Sequence, residues 1–124
     1  MDPTRREYLV AHARAWIDAW NRRDLDAILA HYAADVHFAA PTVATRWGRP
    51  DGVLHGTGEL RRHFARGLEN APGLRFELID VLFSVGDMAI LYRRETGATA
   101  IDAVTLDAHG RAVAVVVYYT TPPA

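Results

Sequence analysis

The sequence predicts a single α+β domain spanning residues 1–124. Its curved antiparallel sheet wraps around helices as a cone-shaped half-barrel with an internal pocket. Two observations lead to this fold. Apolar residues recur at helical spacing through most of residues 1–73, apart from one short strand. From Leu74 onward they alternate with a period of two, and three short glycine-containing connections join four strands as antiparallel neighbours.

Composition narrows the range of functions. Half of the 124 residues are hydrophobic and 23% are charged, which is typical of a soluble globular domain. The net charge of −1 provides no basic field for nucleic acid, and the absence of cysteine excludes disulfides and thiolate nucleophiles. No apolar run approaches the roughly 20 residues that span a bilayer, and the amino terminus lacks the apolar segment of a secretory signal. We therefore expect a cytoplasmic protein with no nucleic-acid or membrane partner.

The first part of the chain predicts two helices and a strand. Thr4 to Glu7 have the form of a capping box at the start of a long amphipathic helix. Its apolar stripe consists of Leu9, Ala13, Trp16 and Trp20. Asp24 is a suitable N-cap for a short second helix that continues to Tyr32. A short strand at residues 36–40 follows, and Pro41 ends it.

The remaining elements follow from turn residues and from the change of period. Residues 42–56 carry glycine and proline without a sustained period, which predicts a loop that includes Trp47. Thr57 is a candidate cap for a third helix that ends near residues 70–73. Its apolar stripe consists of Leu60, Phe64 and Leu68. The four predicted strands cover residues 74–85, 88–96, 98–107 and 112–120.

Two stretches of this chain resemble a known superfamily. Residues 20–28 (WNRRDLDAI) and 32–38 (YAADVHF) are similar to segments that open many nuclear transport factor 2-like proteins, which include SnoaL-like polyketide cyclases and ketosteroid isomerases. His55-Gly56 before the third helix and Ile101-Asp102 before Gly110-Arg111 extend the similarity over nearly the whole chain. The resemblance implies a pocket for a small, mainly apolar ligand, and a homodimer. The apolar patch expected at the dimer interface consists of Ile101, Ala103, Val116 and Tyr118.

Asp102 is the candidate catalytic residue. It lies in the middle of an apolar strand, where an isolated charge on a covered face would cost several kcal/mol. The acid must therefore be neutral, paired, or placed at a wet pocket. By resemblance it matches the oxyanion-hole aspartic acid of the ketosteroid isomerases, whose general base would fall on Ala40 and whose tyrosine would fall on Trp16. Steroid isomerisation by that mechanism is not expected, and cofactor-free proton transfer of the isomerase or polyketide-cyclase type is the best reaction class.

The predicted pocket combines residues from several elements. Its expected members are Trp16, Trp20, Tyr32, Phe38, Ala40, Trp47, His55, Phe64, Tyr92, Val104 and Tyr119. Ordinary core packing explains most of the aromatic members equally well. Tyr92 lies near Asp102 if the turn between their strands is centred on Gly97, and a one-residue slip would turn it away.

Other readings of the site remain open. The six histidines show no metal-binding spacing, so we expect neither a metal nor a cofactor. We interpret His12, His31, His63 and His109 as surface or partly buried residues. Loss of the base at Ala40 favours a non-catalytic ligand-binding or dimerisation domain. Arg94 or Glu95, if directed towards Asp102, would favour water addition of the epoxide-hydrolase type.

Overall fold

A computed structural model describes residues 1–120, which form four helices and six strands. The helices are α1 (Pro3–Asn21), α2 (Leu25–Leu29), α3 (Pro41–Trp47) and α4 (Gly56–Asn70). The strands are β1 (Tyr32–Ala39), β2 (Val53–His55), β3 (Phe76–Ser84), β4 (Asp87–Arg94), β5 (Thr99–Leu106) and β6 (Ala112–Tyr119). No helix within residues 1–120 is long and apolar enough to cross a bilayer.

The strands form one open sheet in the order β2-β1-β6-β5-β4-β3, which confirms the predicted α+β class. The consecutive strands from β3 to β6 pair antiparallel, as their short turns predict. The sheet is mixed because β1 lies parallel to β6, from which it is separated in sequence by helices and strands rather than by a hairpin turn. Helix α1 packs against β3 and helix α4 against β1, so both cover the concave face.

The predicted loop over residues 42–56 is wrong, because this segment contains structure. Helix α3 begins with Pro41 at its first turn and ends at Trp47, and the following Gly48 has a φ of 64° in the left-handed region. Proline at the start and glycine just past the end are typical helix boundary signals. Strand β2 then pairs antiparallel with β1, with His37 opposite His55.

Three helix boundaries also differ from the sequence prediction. Helix α1 begins at Pro3, and the Asp2 side chain rather than Thr4 caps it by accepting from the Thr4 N–H at 3.2 Å. Helix α2 ends at Leu29, so Tyr32 belongs to β1. Helix α4 begins at Gly56 without a side-chain cap, so Thr57 is not its N-cap.

The outer face of the sheet carries the residues of the expected dimer patch. Tyr118 is 57% exposed and Val116 is 38% exposed, while Ile101 and Ala103 are half-buried. A homodimer through this face stays a prediction.

Asn21 joins the end of α1 to the start of β3 and helps to place Phe76. Its Nδ2 donates to the Phe76 carbonyl at 2.9 Å, and the Phe76 N–H donates to its Oδ1 at 2.7 Å. We expect Asn21→Ala to lower the free energy of unfolding by about 2 kcal/mol, because two largely covered backbone groups lose their partners. Urea unfolding measures this loss. Asn70→Ala, at the exposed end of α4, is the control and should change stability by less than about 0.5 kcal/mol.

Candidate functional site

A cavity of about 450 Å³ lies between the helices and the concave face of the sheet. This volume suits a small organic molecule. Its apolar and aromatic wall consists of Trp16, Trp20, Tyr32, Phe38, Phe64, Ala71, Leu74, Phe76 and Val117. Its polar or charged lining consists of Thr42, Thr45, Arg46, His63, Asn70, Tyr92, Arg94, Asp102 and Tyr119, and Gly67 completes it.

The structure brings most of the predicted pocket residues together on this wall. Those that line the cavity are Trp16, Trp20, Tyr32, Phe38, Phe64, Tyr92, Asp102 and Tyr119. The aromatic rings also pack on one another: the Phe76 and Tyr92 ring centroids are 4.6 Å apart, and those of Trp20 and Phe64 are 4.9 Å apart. The same residues therefore form both core and cavity wall.

Four of the predicted residues lie elsewhere. Ala40 is buried and borders a separate surface depression, because its backbone N–H is bonded to the Gly52 carbonyl. His55 is exposed on β2. Trp47 packs behind the cavity on α4, and Val104 is buried deeper in the core beside a separate small void.

Asp102 is held in an apolar environment at the cavity wall. It lies on the concave face of β5 between Ile90 of β4 and Val117 of β6, and it is only 3% exposed. The Tyr92 hydroxyl donates to its Oδ1 at 2.8 Å, and its Oδ2 makes no hydrogen bond with residues 1–120. Burial raises the pKa of Asp102 from 3.8 to about 7, although the Tyr92 hydrogen bond opposes this change. Near neutral pH both protonation states are therefore populated.

Tyr92 reaches Asp102 because of the register of the β4–β5 hairpin. Tyr92 lies opposite Ala100, and Ile90 lies opposite Asp102, so Tyr92 and Asp102 are diagonal neighbours on one face. Gly97 enables the connecting turn with a φ of 88°. Burial raises the pKa of the Tyr92 phenol well above its ordinary value, and the charge of Asp102 raises it further. Tyr92 thus stays a proton-bearing donor.

A second group of donors lies on α1 and β1. Trp16 Nε1 donates to the Tyr32 hydroxyl at 2.9 Å. Burial raises the pKa of Tyr32, and the charge of Asp102 raises it further by a smaller amount. The Tyr32 hydroxyl hydrogen has no acceptor within the described part of the chain. Trp20 Nε1 is buried and also makes no hydrogen bond there. The Tyr32 hydroxyl can therefore donate to a polar atom of a ligand in the cavity.

A third polar group, around His63 of α4, is absent from the sequence prediction. His63 is 4% exposed, so its placement at the surface or partly buried is wrong. Its Nδ1 accepts from Trp47 Nε1 at 3.0 Å and lies 3.2 Å from Arg46 Nη1, while its Nε2 lies 3.3 Å from the Thr42 hydroxyl. Because Nδ1 is the acceptor, we assign the ring proton to Nε2, which donates to Thr42.

The environment keeps His63 neutral. Burial lowers the pKa of His63 to about 4, and the positive charge of Arg46 contributes to the decrease. The sequence held one signal for this residue, since His63 follows Leu60 by three positions and precedes Phe64 in the buried stripe of α4. The sequence prediction misses Arg46 and Thr42 because the pattern of residues 42–56 predicts a loop where α3 lies. Within residues 1–120, no group of three or more His, Asp or Glu side chains is arranged to bind a metal.

Comparison with known proteins identifies the family. The SnoaL-like domain family matches residues 13–122 of this chain. The chain belongs to this family. A solved SnoaL-like protein of unknown function from Burkholderia thailandensis E264 is 36% identical, with a TM-score of 0.84 over 88% of this chain and 91% of that one. Membership confirms the predicted nuclear transport factor 2-like fold.

More distant structures share the SnoaL-like fold. A nuclear transport factor 2-like protein of unknown function from Burkholderia pseudomallei K96243 is 23% identical, with a TM-score of 0.70 over 89% of this chain and 88% of that one. TerC, co-crystallised with polyporic acid, is 16% identical, with a TM-score of 0.72 over 89% of each chain. No curated protein matches the sequence.

Proposed function

We propose that this SnoaL-like protein binds a small, mainly apolar molecule with a carbonyl or enol group and catalyses proton transfer on it. The reaction is of the isomerase or polyketide-cyclase type, and Asp102 is the acid and base. The observation that carries the proposal is a buried carboxyl group on a cavity wall, with a pKa of about 7 and with one oxygen that makes no hydrogen bond to residues 1–120. A group with a pKa near the working pH is suited to both giving and taking a proton.

The proposed chemistry uses both states of Asp102. The ionised carboxylate removes a proton from the carbon next to the carbonyl, so that the C–H electron pair moves towards the carbonyl oxygen and forms an enolate. Protonated Asp102 then returns the proton to carbon or oxygen. Tyr92 holds Oδ1 in place, and the Tyr32 hydroxyl is a donor available to the enolate oxygen.

The cavity supports an organic ligand of moderate size. Its aromatic wall offers flat apolar surfaces to a ring, and its polar lining residues offer partners to a carbonyl or enol group. TerC, a structural neighbour, was co-crystallised with polyporic acid, which is a precedent for this fold with an organic molecule.

The direct test is hydrogen–deuterium exchange at C2 of α-tetralone, a bicyclic aromatic ketone, followed by proton NMR in D2O. We expect the protein to accelerate exchange over buffer and Asp102→Asn to reduce the catalysed rate by at least about 100-fold, because the amide cannot take the proton. Asp35→Asn removes an exposed carboxylate of β1 and should leave the rate unchanged. Exchange at the buffer rate with the wild-type protein, or equal rates for wild type and Asp102→Asn, would contradict the proposal.

Ligand binding without catalysis is the second candidate function. It is favoured because Asp102 is the only carboxylate among the described residues that line the cavity. Under this alternative α-tetralone binds without exchange. Water addition of the epoxide-hydrolase type has less support, because no arginine or second carboxylate within residues 1–120 hydrogen-bonds to Asp102.

A further inference from the structure

We propose that the ligand of this cavity is an organic acid, whose ionised group binds the guanidinium of Arg46 while its apolar body fills the aromatic part of the cavity. The inference rests on the proposed function for the place of the ligand, and it adds the substrate class. The geometry of α3 and α4, the lack of an acidic partner for Arg46, and the charge around the cavity each support it.

Arg46 is held in place by neutral groups. Its Nη1 donates to the His63 carbonyl at 3.0 Å and lies 3.2 Å from His63 Nδ1. Its Nη2 and Nε make no hydrogen bond with residues 1–120, and no carboxylate in that range lies within ion-pair distance. The side chain is thus oriented on the cavity wall with donors left over. A guanidinium fork with free donors matches the two oxygens of a carboxylate.

The surroundings of Arg46 make its charge costly without an anion. Burial lowers the pKa of Arg46, and the positive charges of Arg66 and Arg94 lower it further, although Tyr119 opposes them. Arginine stays cationic despite such changes. A partly desolvated cation usually has an acidic partner, and here a bound anion would take that place.

Positive charge extends around this end of the cavity. Arg62 and Arg66 lie over the Trp47 ring, with their guanidinium carbons 4.9 and 6.0 Å from its centroid. Arg66 has an acidic partner in Glu69 and Arg94 has one in Glu95, whereas Arg46 and Arg62 have none among the described residues. The region is therefore cationic although the whole chain has a net charge of −1. Such a local field attracts anions.

Arg46, Tyr119 and Asp102 line the same cavity, so one ligand can contact both the guanidinium and the acid. Burial raises the pKa of Tyr119, the charge of Asp102 raises it further, and the charges of Arg94 and Arg46 lower it. An acid group on Arg46 leaves the body of the ligand to extend towards Asp102.

Calorimetric titration with 2-naphthoate and its neutral analogue 2-naphthamide tests the inference. At pH 6 the naphthoate is ionised and Asp102, with a pKa of about 7, is mostly protonated. We expect the wild-type protein to bind 2-naphthoate more tightly than 2-naphthamide. Arg46→Gln should weaken binding of 2-naphthoate about tenfold and change binding of 2-naphthamide by less than about twofold, because one charge-assisted contact is lost.

Two controls keep the test independent of folding and of the general field. Arg62→Gln removes a nearby positive charge that does not line the cavity, and it should weaken 2-naphthoate binding by less than about threefold. Added salt should weaken the binding of 2-naphthoate to the wild-type protein but not the binding of 2-naphthamide. This control requires no variant. Equal wild-type affinities for the two probes, or an unchanged preference in a folded Arg46→Gln protein, would overturn the inference.

The same measurements separate this inference from the proposed function. If 2-naphthoate binding depends on Arg46 while α-tetralone exchange is absent, the organic-acid site stands and proton transfer fails. If exchange depends on Asp102 while Arg46→Gln keeps the wild-type preference, the proton-transfer function stands and the organic-acid site fails.

Discussion

Asp102→Asn should make the protein more stable than the wild type at pH 8, although it removes the proposed catalytic group. In the folded protein the pKa of Asp102 is raised from 3.8 to about 7. The folded state therefore holds a proton that the unfolded state releases, and the stabilisation present below pH 4 is lost as the pH rises through 7. Asparagine has no proton to lose. The free energy of unfolding of Asp102→Asn, relative to that of the wild type, should therefore increase between pH 4 and pH 8 by on the order of 4 kcal/mol.

Urea unfolding of both proteins at pH 4, 6 and 8 measures this difference. The side-chain carbonyl oxygen of the introduced asparagine can still accept from Tyr92, so the variant keeps the wild-type hydrogen bond. Asp35→Asn, at an exposed position of β1, serves as the control and should show no comparable increase with pH. A difference between Asp102→Asn and wild type that is independent of pH would mean that Asp102 is not a buried, proton-holding acid.

The strands and the long helices were predictable because their patterns are long. Strands β4 and β5 alternate over eight residues each, and β3 and β6 alternate apart from one irregularity each. Glycine turns join all four, so their antiparallel order followed from the sequence. The same pattern placed Asp102 on the concave face. Helix α3 has only seven residues, too few for a period to be visible, and only the Pro41 and Gly48 signals marked its ends.

The candidate site was predictable on its aromatic side and not on its polar side. Trp16 and Phe64 lie in apolar stripes, and a stripe turns towards the core whichever neighbours it meets. Arg46 and His63 depend instead on α3 packing against α4, which is a tertiary contact that the local sequence does not specify. The position matched by resemblance to the isomerase base, Ala40, does not lie at the cavity. Its backbone N–H bonds to the Gly52 carbonyl, and the residue borders a different depression.

His63→Gln should remove part of the sensitivity of this protein to acid. Burial lowers the pKa of His63 from 6.5 to about 4 in the folded state, so the unfolded state binds a proton more readily. The contribution of His63 to stability is complete above pH 6.5 and falls as the pH drops towards 4, by on the order of 3 kcal/mol. Glutamine stays neutral over this range. The free energy of unfolding of His63→Gln, relative to that of the wild type, should therefore rise by on the order of 3 kcal/mol as the pH decreases from 8 to 4, as measured by urea unfolding.

The comparison isolates His63 because other titrating groups are present in both proteins. His12 and His31 also have lowered pKa values, chiefly through burial, and Asp102 acts in the opposite direction between pH 4 and 6.5. The stability of the wild-type protein therefore changes less with pH than the histidines alone or Asp102 alone would produce. His109→Gln, in the exposed β5–β6 turn, should alter stability by less than about 0.5 kcal/mol at either pH. Parallel pH profiles for His63→Gln and wild type would show that His63 is not buried as a neutral acceptor. His63 could then no longer explain how the Arg46 side chain is held on the cavity wall.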